Sequence, residues 1–162
     1  SVSSVFTNSE ASEVQETSSG VTENGNSFHI DASEGQSKVV FQNLNGSSMV
    51  SGTVSISQEA NAGFFLGGNN NPSESFRIQL EPRNNKIIAI NNGTFENVVY
   101  FNFDANTNYN FELYIDGSVA VLYLNDEVAL SSRIYGIYES PWGIYGEFAS
   151  SEFGDIQINA EN

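Results

Sequence analysis

The chain has no cysteine, one histidine, one tryptophan and only five Lys and Arg residues against twenty Asp and Glu. Without cysteine there is no disulfide, no thiolate nucleophile, no Cys-ligated zinc and no iron–sulfur cluster. A formal charge of −15 repels phosphate backbones and anionic headgroups. Nucleic acid and membrane surfaces are therefore excluded as partners, and neutral or cationic ligands remain. No apolar run approaches the roughly 18–20 residues of a membrane-spanning helix, and the first residues lack a basic-then-apolar leader pattern. The polar residues are Ser, Asn, Thr and Glu rather than Lys and Glu, which leans towards a secreted, extracellular bacterial module.

What is present is apolar mass. Twelve Phe and seven Tyr in 162 residues are enough to bury the core of one domain. Residues 1–26 are rich in Ser, Thr, Glu, Asn and Gly and read either as a linker or as an edge-strand extension, with Val2–Phe6 as the candidate strand. From residue 27 to residue 162, short β-branched and aromatic runs alternate with Asn, Gly, Asp and Ser clusters. Twelve strands are expected: Ser27–Asp31, Ser37–Asn43, Met49–Gln58, Ala62–Leu66, Ser75–Glu81, Lys86–Asn91, Val98–Asp104, Tyr109–Asp116, Ser118–Asn125, Glu127–Tyr135, Trp142–Phe148 and Phe153–Asn159.

Their alternation identifies half-buried strands. Phe76, Ile78 and Leu80 share one face while Arg77, Gln79 and Glu81 share the other, and Phe111, Leu113 and Ile115 oppose Glu112, Tyr114 and Asp116. No segment keeps a helical period over three turns. A dozen strands do not form one open sheet without curling, so the expectation is an all-β fold, a two-sheet antiparallel β-sandwich of jelly-roll, concanavalin-like type. Asp116-Gly117 and Asn125-Asp126 mark tight turns that join Tyr109–Tyr135 into a three-stranded meander.

That meander carries a resemblance. Phe111-Glu112-Leu113-Tyr114-Ile115-Asp116-Gly117-Ser118, then Val121-Leu122-Tyr123-Leu124-Asn125-Asp126, then Ser131-Ser132-Arg133-Ile134-Tyr135 resemble the C-terminal β-sandwich of family 32 glycoside hydrolases (levanases, inulinases, invertases) and the related family 66 carbohydrate-binding modules. Trp142-Gly143-Ile144-Tyr145-Gly146 and Phe153-x-x-Ile156-x-Ile158 match the closing strands of that family. Val121 stands where the hydrolase-linked sandwiches often carry Glu, which favours the free-standing binding branch. The catalytic propeller of such hydrolases has no counterpart here, since the chain has neither Asp-Pro nor Cys. The resemblance implies a non-catalytic module that binds fructans, levan or inulin, through a terminal fructose and holds a parent catalytic domain on its polymer.

Vicinal sugar hydroxyls suit a carboxylate and a guanidinium that make charge-assisted hydrogen bonds, with an aromatic ring against the apolar side of the sugar. The candidates are therefore Arg133 and Asp116 from the family positions, Arg77 on the polar face of its strand, and Glu74 or Glu81 as a second acid. Trp142, Tyr135 and Tyr145 are the candidate stacking rings. Each has a plainer reading: a surface ion pair for the arginines, turn chemistry for Asp116, core packing for Trp142. His29 has no partner histidine or cysteine and reads as a structural side chain. No cofactor is expected, although Asp104, Asp126 and Asp155 are the acids a structural calcium ion would use. Competing readings are a ligand-free structural sandwich that buttresses a hydrolase and shows an apolar docking patch, a small glycosidase or lyase, and a lectin-like module for another glycan.

Overall fold

The computed structural model describes residues 8–11, 13–44, 46–67, 70–134 and 141–160. Fifteen strands are formed among them: β1 (Asn8–Ala11), β2 (Val14–Thr17), β3 (Val21–Asn24), β4 (Ser27–Asp31), β5 (Gln36–Phe41), β6 (Ser48–Ile56), β7 (Asn61–Leu66), β8 (Phe76–Glu81), β9 (Lys86–Asn91), β10 (Thr94–Tyr100), β11 (Tyr109–Asp116), β12 (Val119–Leu124), β13 (Glu127–Arg133), β14 (Trp142–Glu147) and β15 (Ser150–Ala160). They build two stacked sheets. One runs β13-β12-β11-β6-β15-β4-β3, with β1 also paired to β15; the other runs β10-β9-β8-β7-β14-β5-β2. The described pairings are antiparallel, as a sandwich built from hairpins and crossovers requires. No helix among the described residues is long and apolar enough to cross a membrane.

The twelve strands expected from residue 27 onward are all present, with Ser27–Asp31, Lys86–Asn91 and Tyr109–Asp116 at the expected bounds and the others with shifted ends. The largest shift is at β10, which begins at Thr94 rather than Val98. Asn92 and Gly93 both take positive φ (47° and 85°) and close a tight hairpin straight out of β9. Beyond Tyr100 the chain leaves the ladder because Phe101 and Phe103 turn in to pack around Tyr109. The side-chain oxygen of Asn85 and the hydroxyl of Tyr109 accept from the Phe103 and Asp104 amides. Residues 8–24 contribute β1, β2 and β3 to the edges of both sheets, whereas Val2–Phe6 lies outside the described residues.

Both expected turns of the meander form. Gly117 takes φ of 58° at the first position of the two-residue loop Gly117–Ser118, leaving Asp116 as the last strand residue opposite Val119. Asn125 and Asp126, at 49° and 66°, make the mirror-image turn between β12 and β13. The inward residues of both sheets form one core in which Phe153 meets Phe64 and Phe111 edge to face while Phe64 and Phe111 lie tilted against each other.

Candidate functional site

Cross-strand partners point to the same face of a sheet, so the register sorts the candidates into rows. In the eight-stranded sheet, Asp116 pairs with Val119, and Val119 pairs with Arg133. All three are exposed, on the face opposite the core residues Leu113, Ala120 and Leu122. Two strand spacings, about 9.5 Å, separate the backbones of Asp116 and Arg133. Val119, 40% exposed, forms an apolar floor between them. Ser47 donates to Asp116 Oδ1 at 2.6 Å. Arg133 forms no ion pair among the described residues.

Arg77 and Glu81 lie on the outer face of the other sheet, on the far side of the core. Two rows cross that face, Ile90–Arg77–Phe65–Gly143–Val40 and Ile88–Gln79–Gly63–Tyr145–Lys38, and beyond them Lys86 pairs with Glu81 and Asn61 with Glu147 and Gln36. Although it faces outward, the middle of this surface is closed. Phe65, Tyr145 and Val40 form a second buried cluster. The chain from Asn70 to Ser75 folds back against it: Gln36 Nε2 donates to Ser73 Oγ at 3.4 Å, and Lys38 Nζ donates to the Asn70 carbonyl.

Beneath that cover, Arg77 lies over the Tyr145 ring, its guanidinium carbon 5.8 Å from the centroid, and sits 4.0 Å from Glu147. Both oxygens of Glu81 already accept, Oε2 from Gln79 at 2.6 Å and Oε1 from Asn84 at 2.8 Å. Glu81 is thus satisfied within the protein, whereas Arg77 Nε and Nη1 are buried with no hydrogen-bond partner among the described residues. A single sugar ring does not reach both this network and the Asp116–Arg133 row.

Tyr145 donates to Gln79 Oε1 at 2.8 Å, across the strand that carries Gly63. Burial pushes its phenol well above the usual value of 10.0, against a smaller opposing pull from the Arg77 cation. An unfolded tyrosine ionises near that ordinary value while the folded one stays neutral. The contribution to stability is therefore full below about pH 10 and is lost as pH rises from there through the folded value. Tyr145→Phe is expected to cost about 1–3 kcal/mol at neutral pH, because Gln79 Oε1 loses its donor. The same change flattens the alkaline limb of the stability profile, and urea denaturation at pH 7 and pH 10.5 measures both.

Trp142 corrects an expectation. It is fully buried in the core between the sheets and stacks on Phe41 at 4.5 Å and 25°, so it offers no ring to a ligand. Gly143 and Tyr145 alternate with Trp142 and Ile144, so either pair reads as a buried face; the register of Trp142 with Leu66 and Phe41 turns the indole inward. Glu74 is exposed in a single 3-10 turn, Pro72–Glu74, away from the Asp116 row. Tyr135 lies outside the described residues. Asp126 and Asp155 line one hollow without Asp104, and among the described residues no three acidic or histidine groups are placed to hold a metal ion.

The sequence reading missed two surfaces. Phe95, Val98 and Tyr100, 65%, 43% and 82% exposed, share one face of the edge strand β10. Their only sequence signal is the Asn92-Gly93 turn that starts the strand early. The second is a polar depression on the outer face of the eight-stranded sheet, about 510 Å3 beside His29, Thr53, Glu152 and Asp155. Its signal is Gly154-Asp155 inside an otherwise regular strand, the mark of a bulge.

No curated protein sequence matches the chain. The fold is similar to that of carbohydrate-binding module CBM66 from Bacillus subtilis, at a TM-score of 0.74 and 11% identity over 96% of this chain and 97% of that one. It is also similar to the Emp47p carbohydrate recognition domain, at 0.68 and 10% over the whole of both chains. Alginate lyase AlgAT5 of polysaccharide lyase family 7 is similar too, at 0.59 and 11% over 90% of this chain and 85% of the lyase. At these identities the likeness is one of fold, and that fold carries both binding proteins and an enzyme. The family model for the C-terminal domain of GH32, BT1760-like, matches residues 3–158, and the chain belongs to that family of glycoside hydrolase C-terminal domains.

Proposed function

We propose that this chain is a secreted, non-catalytic accessory domain that binds fructans, levan or inulin, through a terminal fructose and keeps a family 32 hydrolase on its polymer. The observation that carries the reading is the exposed row Asp116–Val119–Arg133: an acid and a guanidinium on either side of an apolar floor. The planar donors of Arg133 suit two adjacent hydroxyls. Asp116 Oδ1 is occupied by Ser47, so Oδ2 is the oxygen that accepts from the sugar. A neutral sugar is indifferent to the −15 charge. One end-group site of this kind gives weak binding, Kd of about 10–100 μM, or about −5.5 to −7 kcal/mol.

Affinity electrophoresis and calorimetry with levan, inulin and fructose test this. Arg133→Ala is expected to weaken binding by about 10- to 100-fold, the worth of a charge-assisted hydrogen bond. Because the side chain is exposed and makes no ion pair among the described residues, the stability of the variant stays within about 0.5 kcal/mol of the parent. No retardation by any fructan removes the fructan assignment, and full affinity in Arg133→Ala moves the site elsewhere. Reducing-sugar release from fructans by the isolated chain would show it to be an enzyme.

A second reading draws on β10. Phe95, Val98 and Tyr100 form the exposed apolar band that a domain buttressing its hydrolase presents to its partner. In that reading the band packs against another part of the enzyme, and Tyr100→Ser loosens the two without changing glycan affinity.

A further inference from the structure

We propose that the outer face of the eight-stranded sheet holds a second glycan site: a polar groove that takes a segment of neutral polysaccharide chain rather than its end. This rests on the reading of the chain as a glycan-binding domain, and it concerns residues other than Asp116 and Arg133. Two hollows make the groove, of about 510 Å3 and about 360 Å3, and they share Thr53 and Asp155 as a common wall. Together they run from β11 across β6, β15 and β4 to β3. Four strand spacings make that about 19 Å, room for several sugar rings in a row.

The backbone is shaped to open this groove. The pairing of β15 with β6 breaks between Gly154 and Gln157, and Asp155 is held there at φ of 50°. Its amide donates to Ser27 Oγ at 3.2 Å, and the next amide donates to the Asn26 carbonyl at 3.0 Å, which locks the bulge in place. Bulges of this kind re-aim a side chain, and a non-glycine residue in the left-handed region persists only where its surroundings enforce it. Gly154 leaves the floor low: a Cβ there would lie 2.5 Å from Thr53 Oγ1.

The lining matches hydroxyl groups. In one hollow Glu112 Oε1 is buried with no hydrogen-bond partner among the described residues, an acceptor awaiting a donor. In the other, Glu152 is paired with His29 at 2.9 Å and keeps its second oxygen for a ligand. Asn110 and Thr53 supply groups that both donate and accept. No lysine or arginine lines either hollow, so an anionic polymer finds no counter-charge there.

The test measures fructose, levan, inulin and a panel of other neutral polysaccharides against the parent chain, Arg133→Ala, Asp155→Asn, Glu152→Gln and Asn110→Ala. Asparagine tolerates the left-handed conformation, so Asp155→Asn preserves the bulge, and thermal melts check that each variant is folded. The expected result is about a tenfold loss of polymer affinity in the groove variants, with fructose affinity unchanged. Polymer affinity unaltered in all three groove variants overturns the inference. Binding of a non-fructan polymer that is weakened in the groove variants but not in Arg133→Ala supports the groove while removing the fructose end-group. A parent chain that binds no polysaccharide removes both.

Discussion

Trp142→Ala is expected to lower the melting temperature by about 6–20 °C while leaving glycan affinity of the folded protein intact. The indole is wholly buried, stacks on Phe41 and lies in register with Leu66, so its loss empties space between the two sheets that neighbours do not readily refill. Large-to-small changes of this kind cost about 3–5 kcal/mol, and in a domain of this size each kcal/mol moves the melting point by about 2–4 °C. Trp142→Phe is expected to cost less. The indole Nε1 has no hydrogen-bond partner among the described residues, so a phenyl ring keeps much of the stacking and removes an unmatched donor. Calorimetric melts of both variants, with affinity measured at low temperature, separate a packing role from a binding one. A melt within about 2 °C of the parent together with lost binding would place the ring at the ligand after all.

The second large effect comes from Gly63→Ala. Gly63 pairs with Gln79 on one side and Tyr145 on the other, in the middle of the seven-stranded sheet. A Cβ at this position would sit 1.9 Å from the Ile78 carbonyl oxygen, which is backbone and does not rotate away. The strands must part, and the hydrogen bond that Tyr145 makes to Gln79 across this strand is disturbed with them. Overpacking of a tight site costs about 1–3 kcal/mol and occasionally more; the top of that range is expected here because strand pairing and a buried polar pair are strained together. The denaturant midpoint should fall with the slope unchanged. A midpoint equal to the parent would mean that the contact relaxes at no cost.

Asp116 and Arg133 were identified from a meander motif, and short-range turn chemistry at Gly117 and Asn125-Asp126 was enough to align them across Val119. Arg77 and Glu81 were correctly read as facing away from the core, yet they are not open to solvent. Glu81 is tied by its near neighbours Gln79 and Asn84, and the Asn70–Ser75 segment is held against the same face by Gln36 and Lys38, more than thirty residues earlier in the chain. No local pattern announces a contact of that range.

The amino-acid sequence by itself determined the fold class, the inward residues of strands such as Phe76–Glu81, and the tight turns, because alternation and turn chemistry act within a few residues of chain. Only the tertiary structure decided that Trp142 belongs to the core, that the five placed polar candidates fall on opposite sides of the sandwich, and that a bulge at Asp155 opens a groove. Those outcomes depend on which strands become neighbours and on their register, and pairing between distant segments is settled by the packing of the whole core.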